Sequence, residues 1–170
     1  MKHTLVALMQ DQPGVLNRVA SLFRRRGFNI ESLAVGHTET PGVSRMTLVV
    51  DAEHTSVEQV IKQLYRVIEV LKVSDVTHDP NVARELVLIK VYAPAARRAE
   101  IHSLASVFEA RIADVGSDTL MLELTAAPDR VDSFVELVQP FGIREMVRTG
   151  RVTMVRGAQT HTAEAYVRVA

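Results

Sequence analysis

Asp11-Gln12-Pro13-Gly14-Val15-Leu16 and Gly27-Phe28-Asn29-Ile30 are the runs of this 170-residue chain whose types and spacing point to binding chemistry. Pro13-Gly14 makes a tight turn that opens into apolar helical spacing, Val15 to Arg26. The first N–H groups of such a helix lack partners within it, and with the helix dipole they favour an anion such as a carboxylate. Gly14 has no Cβ, so a ligand can approach the backbone closely. Asn29 opens the next strand, and its amide offers both a donor and an acceptor. The layout is expected to set Asn29 opposite the helix N–H groups across a small concavity. That arrangement suits a small zwitterion, such as a free amino acid, better than it suits a reaction. Bland readings stand beside these. Pro13-Gly14 is also an ordinary turn that Asp11 can cap, and Asn29 is also an ordinary turn residue. Asp11 can accept from an ammonium group or serve only as that cap. Val15, Ile30, Leu33 and Val35 can line an apolar pocket or belong to the core.

No catalytic constellation accompanies these residues. The six histidines, His3, His37, His54, His78, His102 and His161, show no metal-ligand spacing. Nucleophile-elbow, Walker A and dinucleotide-binding glycine patterns are absent. The chain has no cysteine, which excludes disulfides, zinc thiolates and cysteine nucleophiles and fits a reducing cytoplasm. Catalytic residues, metal ligands and a cofactor of its own are therefore not expected. Arg24-Arg25-Arg26 falls at a helix C-terminus, where cations complement the dipole. A solvated helix end is the simpler reading, and an acidic patch on a protein partner the second. Lys plus Arg equals Asp plus Glu, at 20 each, which argues against nonspecific nucleic-acid binding. No apolar run approaches the ~20 residues needed to span a bilayer, so no membrane partner is expected.

Two repeats of one element order position these residues. Apolar residues make up 47% of the chain, enough for a buried core. Residues 3 to 9 read as a buried strand, 15 to 26 as a helix stopped by Gly27, and 30 to 37 with 44 to 51 as a hairpin around Thr40-Pro41-Gly42. Thr55-Ser56-Val57-Glu58 is a capping box, and Val57, Val60, Ile61, Leu64, Val67 and Ile68 form a helical stripe. A strand over 71 to 78 completes the first unit. Asp79-Pro80-Asn81 breaks the pattern. The order then recurs, with strands at 84–92, 112–115, 119–125 and 143–149, and helices around Ile101 to Phe108 and Pro128 to Val138. Residues 152 to 155 extend or flank the last strand. Ala20-Ser21-Leu22-Phe23 is echoed by Ala105-Ser106-Val107-Phe108. The expected fold class is α+β: two ferredoxin-like βαββαβ domains, residues 1–78 and 84–156, a linker at 79–83, and a mobile tail at 157–170.

Residues 11 to 19 resemble the opening loop and helix of an ACT domain. Residues 26 to 33, followed by Ser44-Arg45-Met46-Thr47, resemble a narrower family, the small regulatory subunit of acetohydroxyacid (acetolactate) synthase. The resemblance covers about residues 1 to 155. It implies an N-terminal ACT domain and no chemistry in this chain alone. It also implies a partner, the large catalytic subunit, which holds thiamine diphosphate, Mg²⁺ and FAD. By resemblance this chain activates that subunit and confers feedback inhibition by valine, or by leucine or isoleucine. Two ACT domains pair side by side as a homodimer, with the effector at their interface. The effector-binding residues implied are Asp11, Pro13, Gly14, Val15, Leu16, Asn29 and Ile30. Some members carry Asn where this chain has Asp11, and an ionised Asp favours the ligand's ammonium while repelling its carboxylate. A different class also fits the pattern: a free-standing amino-acid sensor that regulates another enzyme or a transcription factor.

Overall fold

The computed structural model describes residues 1–51, 57–158 and 161. The chain divides into two units, Met1–Val82 with Gly150–Ala170, and Ala83–Thr149.

In the first unit the order is β1 (Lys2–Gln10), α1 (Val15–Arg26), β2 (Ile30–His37), β3 (Val43–Asp51), α2 (Val57–Leu64) and β4 (Val70–Asp75). The four strands form an antiparallel sheet in the order β2-β3-β1-β4, the split βαβ arrangement expected from the sequence. Leu5, Ala7 and Met9 of β1 join Met46, Leu48 and Val50 of β3 in a core with Val15, Val19, Leu22 and Phe23 of α1 and Val60 and Leu64 of α2. Gly27 takes φ 68°, and its N–H bonds back to the end of α1, so the helix stops where the glycine stands. The apolar stripe in the second helix runs past its end. After Leu64 the bonds tighten to Arg66 N–H with the Gln63 carbonyl and Val67 N–H with the Leu64 carbonyl. Val67 stays buried, whereas Ile68 turns outward and is 88% exposed. Thr55 and Ser56 of the expected capping box lie outside the described residues.

β1 is buried from Thr4 to Met9 with no alternation. The helices cover one of its faces. The other face meets the chain's own C-terminal segment, which contains β9 (Val152–Val155). Val155 packs with Val6 and Val76. Arg45 donates to the Thr153 carbonyl (2.7 Å), Arg151 donates to Thr4 Oγ1 (3.3 Å), and Arg151 N–H donates to Ser32 Oγ (2.9 Å). Arg156 N–H donates to the Pro80 carbonyl (2.7 Å). Residues 150–156 thus group with the first unit, although their place in the sequence suggested the second. Gly150 makes the crossing possible: a Cβ there would lie 2.2 Å from the Leu33 carbonyl oxygen.

His3, Asp75 and Thr77 tie β1 to the end of β4. His3 Nδ1 lies 3.1 Å from Asp75 Oδ2 and 3.4 Å from Thr77 Oγ1. Asp75 Oδ1 accepts from both the hydroxyl and the N–H of Thr77. Burial works against the Asp75 charge, but these bonds and the nearby His3 hold its carboxyl below the usual carboxylate range.

The second unit contains β5 (Asn81–Tyr92), whose first two residues belong to the first unit, then α3 (Arg98–Phe108), β6 (Arg111–Val115), β7 (Thr119–Ala126), α4 (Pro128–Val138) and β8 (Ile143–Arg148). Residues 81–83, expected as linker, are the first residues of β5. The main sheet order is β6-β7-β5-β8, the counterpart of the first. Val87, Ile89 and Val91 alternate inward to meet Leu120, Leu122 and Leu124, with Ile101, Val131 and Phe134 from the helices. Glu109 ends α3 at φ 60°, the left-handed conformation that Gly27 supplies in the first unit. Arg98 donates to the Ala93, Gly116 and Ser117 carbonyls, pinning the β6–β7 turn.

Gly150→Ala should destabilise the first unit by about 1–3 kcal/mol, because the new methyl group displaces backbone rather than a flexible side chain. Urea unfolding compared with wild type measures this. Asp75→Asn should remove about 0.5–1 kcal/mol at neutral pH, a low figure because the carboxylate is partly solvated. Its folded pKa is lowered, so its contribution is present above the unfolded pKa of about 3.9 and is lost as pH falls through the folded value. Acid titration of the two proteins should therefore converge at low pH.

Candidate functional site

Gly14 is the residue from which α1 starts, at φ 86°. No side chain caps the helix there. Val15 N–H reaches back to the Gln12 carbonyl at 3.4 Å, a long bond, and the intrahelical series begins with Arg18 N–H to the Gly14 carbonyl (3.0 Å). The N–H groups of Leu16 and Asn17 are therefore the ones a ligand can use. Nothing among the described residues lies within 4 Å of where a Gly14 Cβ would stand. Pro13 and Gly14 are exposed, Val15 is buried in the core, and Leu16 is 45% exposed.

Asp11 does not cap the helix. Its N–H donates to the Gly42 carbonyl (2.8 Å), and its carboxylate meets His37 Nδ1 at 3.2 Å. The pair links the β1–α1 loop to the end of β2. An Asp11 carboxylate turned to His37 is positioned by a neighbour outside the helix, which leaves the first turn of α1 open.

Asn29 is exposed and Ile30 half-buried, but they stand at the other end of the sheet. Gln10 pairs with Val43, and Ser44 with His37, so the β1–α1 loop shares an end with the finish of β2. Ile30 pairs with Val50, which pairs with His3 near the start of β1. The 12 residues of α1 separate the two ends by about 18 Å at 1.5 Å per residue. Within one chain the structure brings Asp11, Pro13, Gly14, Val15 and Leu16 together and keeps Asn29 and Ile30 away from them. The concavity that would set Asn29 opposite the helix N–H groups of the same chain does not form. Reading along the sequence missed this because Asn29 follows the helix end, and a 12-residue helix carries its end away from its start. Of the apolar candidates, Val15 and Leu33 pack in or against the core, Ile30 lies at the far end, and Val35 is 45% exposed.

His37 is the residue that sequence reasoning passed over. Nothing near it in sequence marks it, and only the β2–β3–β1 register places it beside Asp11. Among the described residues no group of three or more His, Asp or Glu could hold a metal ion. His3 does not form a proton relay. Asp75 and Thr77 both approach the same ring nitrogen, whereas a relay needs the carboxylate and the hydroxyl on opposite nitrogens. Among the described residues no helix is long and apolar enough to cross a membrane.

Comparison with known proteins agrees along nearly the whole chain. Residues 5–72 match the family described as AHAS small subunit-like ACT domain, and residues 84–157 match the small subunit of acetolactate synthase. The chain is 54% identical to the probable acetolactate synthase small subunit of Archaeoglobus fulgidus over 92% of its own length and 98% of that protein. It is 49% identical to the acetolactate synthase small subunit of Mycobacterium leprae, over 91% of its length and 92% of the relative. The crystal structure of the acetolactate synthase small subunit from Thermotoga maritima superimposes with a TM-score of 0.84 at 38% identity, covering 92% of this chain and 98% of that one. With an ACT fold in its first unit and both family matches in sequence order, this chain belongs to the acetolactate synthase small-subunit family.

Proposed function

We propose that this chain is the regulatory subunit of a cytoplasmic acetolactate synthase complex and senses a branched-chain amino acid for it. In this reading the chain catalyses nothing alone. It activates a large catalytic subunit that carries thiamine diphosphate, Mg²⁺ and FAD, and it makes that subunit sensitive to valine, or to leucine or isoleucine. The observation that supports the sensing role is the open first turn of α1 at Gly14, with no side-chain cap and no neighbouring atom over the glycine among the described residues.

The effector site takes two copies of the chain. β2 is an edge strand, and an unpaired edge is a template for another strand. Antiparallel pairing of β2 with β2 of a second copy sets the start of one strand beside the end of the other. Asn29 of the second copy then approaches His37, Asp11 and Gly14 of the first. The ligand carboxylate accepts from Leu16 and Asn17 N–H. The Asn29 amide oxygen and the Asp11 carboxylate accept from its ammonium. The half-exposed Leu16 and Val35 offer an apolar surface to its aliphatic side chain. The ligand regulates by binding one arrangement of the pair better than another, and its leverage is that difference, typically ~1–3 kcal/mol.

Sedimentation at micromolar concentration should show a dimer or a larger species, and a monomer alone would rule out the shared site. Gly14→Asp should weaken valine binding by placing a carboxylate against the ligand's own. Gly14→Ala carries the same backbone strain without the charge, so it should retain more affinity, as read by isothermal titration with circular dichroism as the fold control. Asn29→Ala should cost about 1–3 kcal/mol of effector binding while the catalytic subunit is still activated. Equal valine inhibition of wild-type and Asn29→Ala complexes would remove Asn29 from the site. A mixture tests the sharing itself. A heterodimer of Gly14→Asp and Asn29→Ala chains keeps one intact site, so co-refolded variants should regain valine binding that neither has alone. No regain would mean that each site lies within one chain.

A further inference from the structure

A groove of about 790 Å³ runs between α1 and the turn from α2 to β4. It shares only Asn17 with the proposed effector site. Five arginines line it, Arg18, Arg24, Arg25, Arg26 and Arg66, against one acidic residue, Glu69. Arg18 meets Glu69 Oε1 at 2.7 Å. The other four are exposed and form no ion pair among the described residues. In a chain whose 20 cations match 20 anions, four uncompensated arginines around one groove are a local excess of charge that asks for an acidic partner.

A further observation distinguishes the partner's chemistry. Ile68, at the same groove, is 88% exposed and has its own partners in neither core. An isolated apolar side chain ringed by arginines fits a contact that is apolar at its centre and charged around it.

We propose that this groove docks an acidic segment of the catalytic subunit, its carboxylates on Arg24, Arg25, Arg26 and Arg66 and an apolar side chain on Ile68. The inference rests on the regulatory-subunit reading, since the occupant is that subunit. Its location separates two tasks. The effector is sensed at the start of α1 and along the β2 edge, and the partner is held along the flank of α1 that faces α2.

The test is binding of the full chain to its catalytic subunit, by sedimentation or surface-immobilised titration, at low and high salt. Wild type should bind, with affinity falling as salt rises. The double variant Arg25→Glu/Arg66→Glu should bind about tenfold or more weakly, while dimerisation and valine titration stay as in wild type. Arg25→Lys/Arg66→Lys should retain most of the affinity. Ile68→Ser, an exposed change without charge, should weaken binding several-fold. Equal affinity of the Glu/Glu variant and wild type would overturn the docking site and leave the regulatory reading standing. No association of wild type at any salt would overturn both. Binding of inorganic triphosphate that the Glu/Glu variant loses, with catalytic-subunit affinity unchanged, would make the groove a small-anion site and overturn the docking assignment.

Discussion

The antiparallel register of the first sheet sets the terms for everything this chain can bind. β1 against β3, and β3 against β2, place the β1–α1 loop at the same end as His37 and at the opposite end from Ile30. α1 carries the chain back between those ends, rising about 18 Å over its 12 residues. A rigid helix keeps its entrance and exit apart. A ligand that engages both must draw on two chains. The edge strand β2 supplies the means, since an antiparallel edge pairing exchanges the two ends. In the proposed reading, sensing and oligomerisation share one geometric origin, and a change in the pairing would be a change in the site.

The sheet also explains why the C-terminal segment belongs with the N-terminal unit. A four-stranded sheet with two helices buries one face. β1, however, carries apolar residues on both, Leu5, Ala7 and Met9 on one side and Val6 and Leu8 on the other. Burying the second face requires another layer. The chain provides it by returning at Gly150, where only a glycine passes the Leu33 carbonyl, and by packing Val155 on Val6 and Val76. β5 in the second unit shows the contrast. Its inward residues are fully buried, and Leu86, Leu88 and Lys90 between them are only partly so. The continuous apolar run of β1 and the alternation of β5 are two burial states written in the same alphabet.

Much of this was legible in the sequence. The helix over 15–26 and its stop at Gly27 follow from apolar spacing and from a residue that tolerates φ 68°. Both ferredoxin-like orders follow from alternation, turns and breaks. The differences have separate physical causes. The stripe through Val67 and Ile68 looked helical because periodicity does not register a turn that keeps Val67 inside and lets Ile68 out. Residues 81–83 looked like linker because Asp79-Pro80 is a break, yet a strand can restart at once after it. Asn29 looked close to Gly14, and Asp11 looked like a cap, because sequence distance stands in poorly for register. Local chemistry fixes what a residue can do, while the sheet decides which residue it does it with. His37 illustrates the point: nothing adjacent to it in sequence marks it, and three strands of pairing bring it to Asp11.

Arginine placement carries the same lesson to the surface. Arg24, Arg25 and Arg26 complement the C-terminal dipole of α1, which is sufficient reason for a helix to end that way. The dipole does not explain Arg66 on another element, nor the 88% exposure of Ile68 beside it. A solvated helix end needs neither. An acidic partner with an apolar side chain at its centre would meet the uncompensated cations and cover Ile68 together. The exposed Ile68, more than the count of arginines, distinguishes the proposed docking site from an ordinary charged surface.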